Sequence, residues 1–259
     1  MKNFVLHILL LYGILAGCSR IQEDERLIYV KPVAVSRKIL IEDFTGQRCV
    51  NCPNASDEIL RLQELYGEDA LIVVSIHSGP LGFYTNSHFL GLSTNTGDIY
   101  YTHWGVEYLP IGMVNRSKLL SHSAWNAQIR DELQQKASVD IHVATELEGD
   151  KLRIRTEVRG IDGDTNGKLQ LWLVEDSITA FQLMPDGTRC DDYIHRHVFR
   201  TAINGTWGED INMKEGEQII KEHNDVMLAD EWDIDHLSVV AFVYDNNNVK
   251  QINQVKLKN

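Results

Sequence analysis

Cys49 and Cys52 are the residues of this sequence whose type and spacing most directly suggest chemistry. They follow an apolar run, residues 39–44, and open a helical pattern over residues 52–66. A cysteine at a helix N-terminus meets unpaired backbone N–H groups and the positive end of the helix dipole, and both favour the reactive thiolate over the thiol. Arg48 adds a cation beside the pair. The spacing therefore predicts either dithiol–disulfide exchange or a structural disulfide, and leaves that choice open.

The elements that must position this pair form a strand–helix–strand unit. Residues 38–44 predict a buried strand, residues 52–66 a helix, and residues 70–76 a second apolar strand. Because the crossover is short, we expect the two strands to be parallel neighbours. His77 directly follows the second strand, so it should lie at the sheet edge that carries Cys49.

Strand, glycine-containing turn, Cys-x-x-Cys and helix is the order in which thioredoxin-like proteins place their dithiol. Trp104-Gly105-Val106 resembles an aromatic–glycine–aliphatic segment of that fold, which precedes a proline in the cis form facing the dithiol. The resemblance implies that Pro110 is this cis proline. Two departures weaken it: Gln47-Arg48 replaces the tryptophan that thioredoxins carry beside the first cysteine, and Pro53 follows the second.

A further helix is predicted to end at Lys136, after which the apolar pattern changes to strict alternation over residues 139–143 and 152–158. Further strand candidates are residues 168–174, 193–202, 218–221, 238–244 and 249–257. Short strands separated by turn signals suggest a β-sandwich of immunoglobulin or fibronectin type. We therefore predict an α/β plus all-β fold, with a thioredoxin-like domain at residues 27–137 and a β-sandwich at residues 138–259.

The start of the chain is interpreted as a processing signal rather than as structure. Its apolar run, residues 4–14, is too short to cross a bilayer. The run leads into Leu15-Ala16-Gly17-Cys18, which resembles a bacterial lipobox. The resemblance implies a signal peptide at residues 1–17, lipid on Cys18 and a polar tether over residues 18–26. Because several acyl chains anchor a protein stably, the membrane is an expected partner.

The residues after Cys18 bear on localisation. Ser19 in this position favours the outer membrane of a Gram-negative envelope over retention at the inner membrane. Gln22-Glu23-Asp24-Glu25 resembles the acidic surface-export signals of some lipoproteins. We therefore expect a lipid-anchored outer-membrane protein and leave open which side of that membrane it faces.

Composition narrows the function classes. The chain has 259 residues, 43% of them hydrophobic, which is enough for one large or two ordinary domains. Its formal net charge of −12 argues against a nucleic-acid partner, because there is no basic patch to neutralise phosphates. In an oxidising compartment we expect a Cys49–Cys52 disulfide, with Cys190 as the remaining cysteine.

Beyond residue 18, the chain resembles the twenty-eight-kilodalton outer-membrane-protein family of bacterial lipoproteins, which pair a thioredoxin-like domain with a β-sandwich. The segments that carry the resemblance are Phe44 to Pro53, Ile76-His77-Ser78-Gly79, Tyr193 to Val198 and Val239 to Asp245. The resemblance implies an envelope lipoprotein, such as an adhesin or receptor at the cell surface. It supplies no reaction, since a fold does not determine a function.

For exchange chemistry, we expect Cys49 to be the more exposed nucleophile and Cys52 to resolve the mixed disulfide. Pro110 would border the groove for a partner strand, and His77 would accept a proton or raise the local positive potential. The competing hypothesis is a non-enzymatic adhesin or assembly protein in which the disulfide is only structural. A protein partner is expected but not identified, and homo-oligomerisation stays open.

Metal sites are the least favoured hypotheses, and no cofactor is expected. A zinc site would need Cys190 and histidines in addition to the Cys-x-x-Cys pair. His195 and His197, on one predicted strand, could share a face and bind a metal, but a packed or hydrogen-bonded pair is favoured. Residues 162–167 copy half of a calcium loop, yet Leu173 occupies the place of the required glutamate.

Overall fold

A computed structural model describes residues 35–149, 151–246 and 248–257. The predicted signal peptide, the predicted lipidation site Cys18 and the predicted tether lie outside the described residues. Residues 35–137 are called the first half below, and residues 138–257 the second half.

The described residues contain helices in the first half and mainly strands in the second. The helices are α1 (Cys52–Tyr66), α2 (Asn95–His103) and α3 (His122–Leu133). The first-half strands are β1 (Ile39–Thr45), β2 (Leu71–His77), β3 (Ile111–Val114) and β4 (Leu119–Leu120). The second-half strands are β5 (Val139–Glu148), β6 (Lys151–Gly160), β7 (Thr165–Glu175), β8 (Ile178–Leu183), β9 (Arg189–His195), β10 (Val198–Ala202), β11 (Glu209–Met213), β12 (Gln218–Met227), β13 (Leu237–Tyr244) and β14 (Val249–Lys256).

The first half has a thioredoxin-like strand order, β2-β1-β3-β4. Strands β1 and β2 are parallel, with Thr45 opposite His77, and α1 connects them, so the predicted strand–helix–strand unit is confirmed. Strand β3 runs antiparallel to β1, with Ile111 opposite Phe44. The Leu109–Pro110 peptide bond that precedes β3 is cis, as predicted.

The two faces of β1 explain why the helices lie where they do. Side chains alternate along a strand, so Ile39 and Ile41 face one way while Leu40 and Phe44 face the other. The first face is covered by α1 and α3, through Ala55, Ile59, Leu62, Trp125 and Ile129. The second face packs with Tyr100 of α2 and with apolar side chains of the second half.

One large sheet joins the two halves. Its order among the described residues is β14-β13-β7-β10-β2-β1-β3-β4, with β11 also paired to β7. The junction is β10 against β2, where the Ser75 N–H donates to the His197 carbonyl oxygen at 2.7 Å. The predicted boundary between residues 137 and 138 stays a prediction, although strands from both sides of it share this sheet.

All-β layers make up the second half. A smaller antiparallel sheet, β12-β6-β5, packs against one face of β7, β11 and β13. Strands β8 and β9 form a separate hairpin, called the β8–β9 hairpin below. The single strand predicted over residues 193–202 is wrong: His197 has a φ of 55°, which interrupts extended backbone between β9 and β10. Strands β8 and β11 were not predicted.

A buried ion pair links the halves on the second face of β1. Arg116, after β3, lies with Nη2 3.0 Å from Glu42 Oε1, and both side chains are buried. The guanidinium lies over aromatic rings at centroid distances of 4.2 Å (Tyr244), 4.7 Å (Phe242), 5.4 Å (Trp172) and 5.7 Å (Trp104). Three of these rings belong to the second half, so the cation of one half is enclosed by side chains of the other.

Arg116→Met should therefore destabilise the protein strongly, because it leaves the Glu42 carboxylate buried without its cation. We expect the free energy of unfolding to fall by about 3–5 kcal/mol, measured by urea denaturation followed by tryptophan fluorescence. Adding Glu42→Gln to the same chain should restore much of the loss.

The matched control for this prediction is Arg61→Met, which breaks an exposed pair with Glu58. It should leave the urea midpoint unchanged, since exposed pairs contribute little. An Arg116→Met midpoint equal to that of the control would contradict the importance of the buried pair.

Candidate functional site

Cys49 and Cys52 form a disulfide at the N-terminus of α1, with their Cα atoms 5.4 Å apart. Cys52 is the first helical residue, and Pro53 fits the first turn because its missing N–H would have no helical partner there. Both cysteines are only 2% exposed. The prediction that Cys49 is the more exposed of the two is wrong, and two covering segments give the reason.

The first covering segment is the β8–β9 hairpin. The Gln182 side chain donates from Nε2 to the Cys49 carbonyl oxygen at 2.9 Å. The Leu183 N–H donates to the Gln47 carbonyl oxygen, also at 2.9 Å. The backbone of residues 46–51, called the dithiol loop below, is thereby hydrogen-bonded to a strand of the second half.

The second covering segment is the stretch of residues 78–94. The Arg48 N–H donates to the Leu81 carbonyl oxygen at 3.0 Å. A Cβ at Gly46 would collide with that carbonyl, so the close approach requires glycine. The exposed guanidinium of Arg48 lies 4.8 Å from the ring centroid of Phe83 in the same segment.

The Gln47 side chain hydrogen-bonds both covering segments to the dithiol loop. Its Oε1 accepts from the Leu92 N–H at 2.9 Å, and its Nε2 donates to the carbonyl oxygens of Leu90 and Phe181 at 3.0 and 3.2 Å. A tryptophan could not replace this set of hydrogen bonds, because its indole has one donor and no acceptor. Gln47, one of the two residues at which the sequence departs from the thioredoxin pattern, therefore has a structural role here.

A pocket of about 380 Å³ lies between α1 and the β8–β9 hairpin and reaches the disulfide from the side of Cys52. Its lining includes Cys52, His77, Gln182, Cys190 and His195. Thr45, at the end of β1, also lines it, and the β1–β3 register continues from Ile111 to bring Pro110 toward Thr45. The structure therefore gathers most of the predicted site residues at one sheet edge.

The two histidines of the pocket are in contact. Their ring centroids are 5.1 Å apart, and both side chains are buried. Burial lowers the pKa of His195 to about 4. Burial, followed by the charges of His195 and Arg200, lowers the pKa of His77 well below its ordinary value. At neutral pH His77 is therefore uncharged and adds no positive potential; its role as a proton acceptor stays a prediction.

Asp43, on β1 two residues before the pocket-lining Thr45, is a buried acidic residue that the sequence analysis did not single out. It follows Ile39 and Ile41 on the α1 face of β1, is 1% exposed, and has no hydrogen-bond partner for either carboxylate oxygen among the described residues. Burial raises the pKa of Asp43 to about 7. The signal was present, because an acidic residue within a buried apolar strand must be neutralised or paired.

The remaining predicted metal ligands do not converge. His195 packs against His77, whereas His197 lies with Nε2 3.1 Å from Gln63 Oε1 and Nδ1 3.3 Å from Asp176 Oδ2. The positive φ of His197 takes it off the face that it was predicted to share with His195. Within the described ranges, no group of three or more His, Cys, Asp or Glu side chains could hold a metal ion.

Fold and site together define a class of protein: a thioredoxin-like sheet with a helix-terminal disulfide, continued into all-β layers. The sequence model of the family described as "Outer membrane protein Omp28" matches residues 97–259. This is more than half of the chain, so the protein belongs to that outer-membrane-protein family, and the resemblance stated from the sequence is confirmed. The matched range begins after Cys52, so membership carries no information about the disulfide.

One solved structure supports the overall fold. HBP35 of Porphyromonas gingivalis superposes with a TM-score of 0.63 at 14% identity, over 87% of this chain and 77% of that one. Spo0M, a sporulation control protein from Bacillus subtilis, gives a TM-score of 0.33 at 12% identity, over 46% of this chain and 48% of that one. A β-glucosidase from Kluyveromyces marxianus gives 0.26 at 10% identity, over 48% of this chain and 14% of that one. The last two similarities are too low to support an argument.

Comparison with curated proteins gives no match. In the part of the chain that the structure describes, no helix has both the length and the apolar character needed to cross a membrane.

The buried carboxyl group predicts a pH dependence of stability. Asp43 holds its proton more tightly in the folded chain, where its pKa is about 7, than at its ordinary value of 3.8. Its stabilising contribution is thus complete below about pH 4 and is lost as the pH rises to about 7. The loss amounts to at most about 4 kcal/mol.

Asp43→Asn should remove this dependence, so the variant should be more stable than the unmodified protein at pH 8 but not at pH 4. Urea denaturation at both pH values measures the difference. Glu64→Gln, an exposed change on α1, is the control and should preserve the pH dependence. Parallel pH profiles for the Asp43→Asn variant and the unmodified protein would contradict the assignment.

Proposed function

We propose that this outer-membrane-family protein carries out thiol–disulfide exchange through Cys49 and Cys52. The observation that carries the proposal is the pocket of about 380 Å³ at Cys52. A disulfide that only fastens a loop needs no cavity beside it, whereas an exchanging disulfide must admit an attacking sulfur. The helix N-terminus favours the thiolate that exchange requires.

The proposed reaction starts at the sulfur that the pocket reaches. An incoming thiolate attacks Cys52 Sγ, the Cys49–Cys52 bond breaks, and Cys49 leaves as a thiolate. A second thiol then displaces Cys52, so two external thiols become one disulfide and the protein holds a dithiol. This order differs from the thioredoxin expectation that Cys49 reacts first, because Gln182 and residues 78–94 cover Cys49.

Two ionisable side chains support this chemistry. The Arg196 guanidinium lines the pocket and favours an approaching thiolate. Asp43 lies on the α1 face of β1, and its pKa of about 7 lets it bind or release a proton near neutral pH. In the proposed cycle Asp43 supplies the proton that the leaving cysteine takes up.

The second candidate is a non-enzymatic surface adhesin or assembly protein in which the disulfide is structural. Burial of both cysteines at 2% exposure favours it, because buried sulfurs exchange slowly. In that case the all-β half would bind the protein partner.

We also propose a membrane anchor and a domain organisation for this chain. Lipid on Cys18 would anchor it in the outer membrane of a Gram-negative envelope. The second half would be a fibronectin-type sandwich at residues 138–259, since β12-β6-β5 faces β14-β13-β7-β11. Strands β8 to β10 are then an insertion between β7 and β11 that carries the hairpin to the thioredoxin-like domain at residues 27–137.

Trapping experiments test the exchange function and the order of attack. Cys49→Ser should accumulate a mixed disulfide on Cys52 when treated with oxidised glutathione, because the resolving sulfur is missing. Mass spectrometry of peptides from the full chain, with Cys190→Ser in each background, measures the adduct. With dithiothreitol as the electron source that reduces Cys49–Cys52 to the dithiol, the unmodified pair should catalyse the reduction of insulin, and either single serine variant should abolish that turnover.

Cys52→Ser is the matched variant. An adduct on Cys49 alone would mean that the covers open and that Cys49 reacts first, as the thioredoxin resemblance implies. Absence of adduct in both variants, together with no insulin turnover, would rule out exchange and leave the structural role.

A further inference from the structure

We propose that Cys190 is an internal exchange partner of the dithiol, able to replace Cys49 in the disulfide with Cys52. The inference rests on the proposed function, because it requires a reactive Cys49–Cys52 bond. It assigns the β8–β9 hairpin a redox role in addition to its role as a cover.

The register of the hairpin decides which way Cys190 faces. Gln182 is opposite Cys190, and Ala180 is opposite Tyr193. Between these pairs, two residues of β9, Asp191 and Asp192, oppose the single residue Phe181 of β8. This two-against-one arrangement is a β-bulge. Directly opposed residues of a hairpin share a face, so Cys190 lies on the face of Gln182. Ala180 and Gln182 are two apart on β8 and share that face too, so Tyr193, opposite Ala180, also lies on it.

That face is the one turned to the dithiol. Gln182 donates to the Cys49 carbonyl oxygen, which fixes its side chain on the dithiol loop. Tyr193, on the same face of the hairpin, has its ring centroid 4.9 Å from that of His195. Cys190 and Cys52 both line the pocket between the hairpin and α1. The bulge therefore turns the thiol towards the disulfide instead of away from it.

Cys190 is kept as a thiol in this arrangement. It forms no disulfide among the described residues and is half-buried. Its Sγ donates to Asp192 Oδ1 at 3.3 Å, and this hydrogen bond is the main cause that raises the pKa of Cys190. The carboxylate is thus in place to take the thiol proton when Cys190 attacks.

The pocket also holds an unsatisfied polar group. His77 lines it, is 3% exposed, and its Nδ1 has no hydrogen-bond partner among the described residues. A buried polar nitrogen without a partner costs free energy, and the ring that carries it is one that a sulfur entering the pocket would meet. Because His77 is neutral, it can hydrogen-bond a thiol or a thiolate without a charge of its own.

The proposed step is balanced within the chain. Cys190 Sγ, after losing its proton to Asp192, attacks Cys52 Sγ; the Cys49–Cys52 bond breaks and the Cys52–Cys190 bond forms. Cys49 leaves as a thiolate and takes up a proton, so no external oxidant or reductant is consumed. The product ties the hairpin to α1 and leaves Cys49 as the reducing thiol next to Arg48.

Disulfide mapping of the full chain tests the relay. Unmodified protein, Cys49→Ser and Cys52→Ser are equilibrated in a glutathione redox buffer, quenched with acid, alkylated, digested and analysed by mass spectrometry. Cys49→Ser should hold a Cys52–Cys190 disulfide. Cys52→Ser, the matched control, should hold at least roughly tenfold less Cys49–Cys190, because only Cys52 shares the pocket with Cys190.

The unmodified protein provides a readout that no substitution can disturb. A Cys52–Cys190 peptide together with alkylated Cys49 is expected there. If Cys52 and Cys190 appear only as thiols or glutathione adducts in Cys49→Ser, and the linked peptide is missing from the unmodified protein, the relay is overturned.

Cys190→Ser separates failure of the relay from failure of the proposed function. If Cys49–Cys52 in this variant still exchanges with glutathione, while no Cys52–Cys190 disulfide forms in the unmodified protein or in Cys49→Ser, only the relay is wrong. If glutathione leaves Cys49–Cys52 intact in this variant and in the unmodified protein, the exchange function and the relay both fail.

Discussion

The buried Glu42–Arg116 ion pair is the constraint on which the arrangement of the two halves depends. Buried charges are stabilised by an oppositely charged partner and by favourable neighbouring groups. Here Glu42 is the partner of Arg116, and aromatic rings of the second half lie against the guanidinium. The first half alone would leave the Arg116 guanidinium without three of the four aromatic rings that lie around it. With the halves held together in this way, β10 pairs with β2, and the hairpin that precedes β10 lies on the dithiol loop.

This arrangement changes which cysteine of the pair is accessible to an incoming sulfur. The loop around the first cysteine is hydrogen-bonded to Gln182 at the Cys49 carbonyl oxygen and to Leu81 at the Arg48 N–H, while the second cysteine lines a pocket. The neutral side chains of His77 and His195 line that pocket, and Asp43, whose pKa is raised to about 7 by burial, lies on β1 two residues before Thr45, which also lines it. The proposed chemistry therefore lies on Cys49 and Cys52, as their spacing in the sequence indicates, but with Cys52 instead of Cys49 as the point of attack.

Local patterns explain which parts of the fold could be predicted. Helix α1 and strands β1, β2, β13 and β14 were predicted because their periodicity is visible within each segment. The cis form of Pro110 came from family resemblance. The cover over the dithiol could not be predicted, because the Gln182–Cys49 hydrogen bond joins residues 133 positions apart. Asp43 was not singled out although its strand was predicted to be buried, where an acidic residue must be neutralised or paired.

The most direct test of the central claim, that Cys49–Cys52 is an exchanging disulfide, is its reduction potential in the Cys190→Ser full chain. Equilibration with glutathione buffers and counting of alkylated thiols gives the value. The account predicts a potential in the range of exchange catalysts, between about −270 and −120 mV. A potential below about −300 mV, with sulfurs that resist alkylation until the protein unfolds, would contradict it and identify the pair as a structural disulfide.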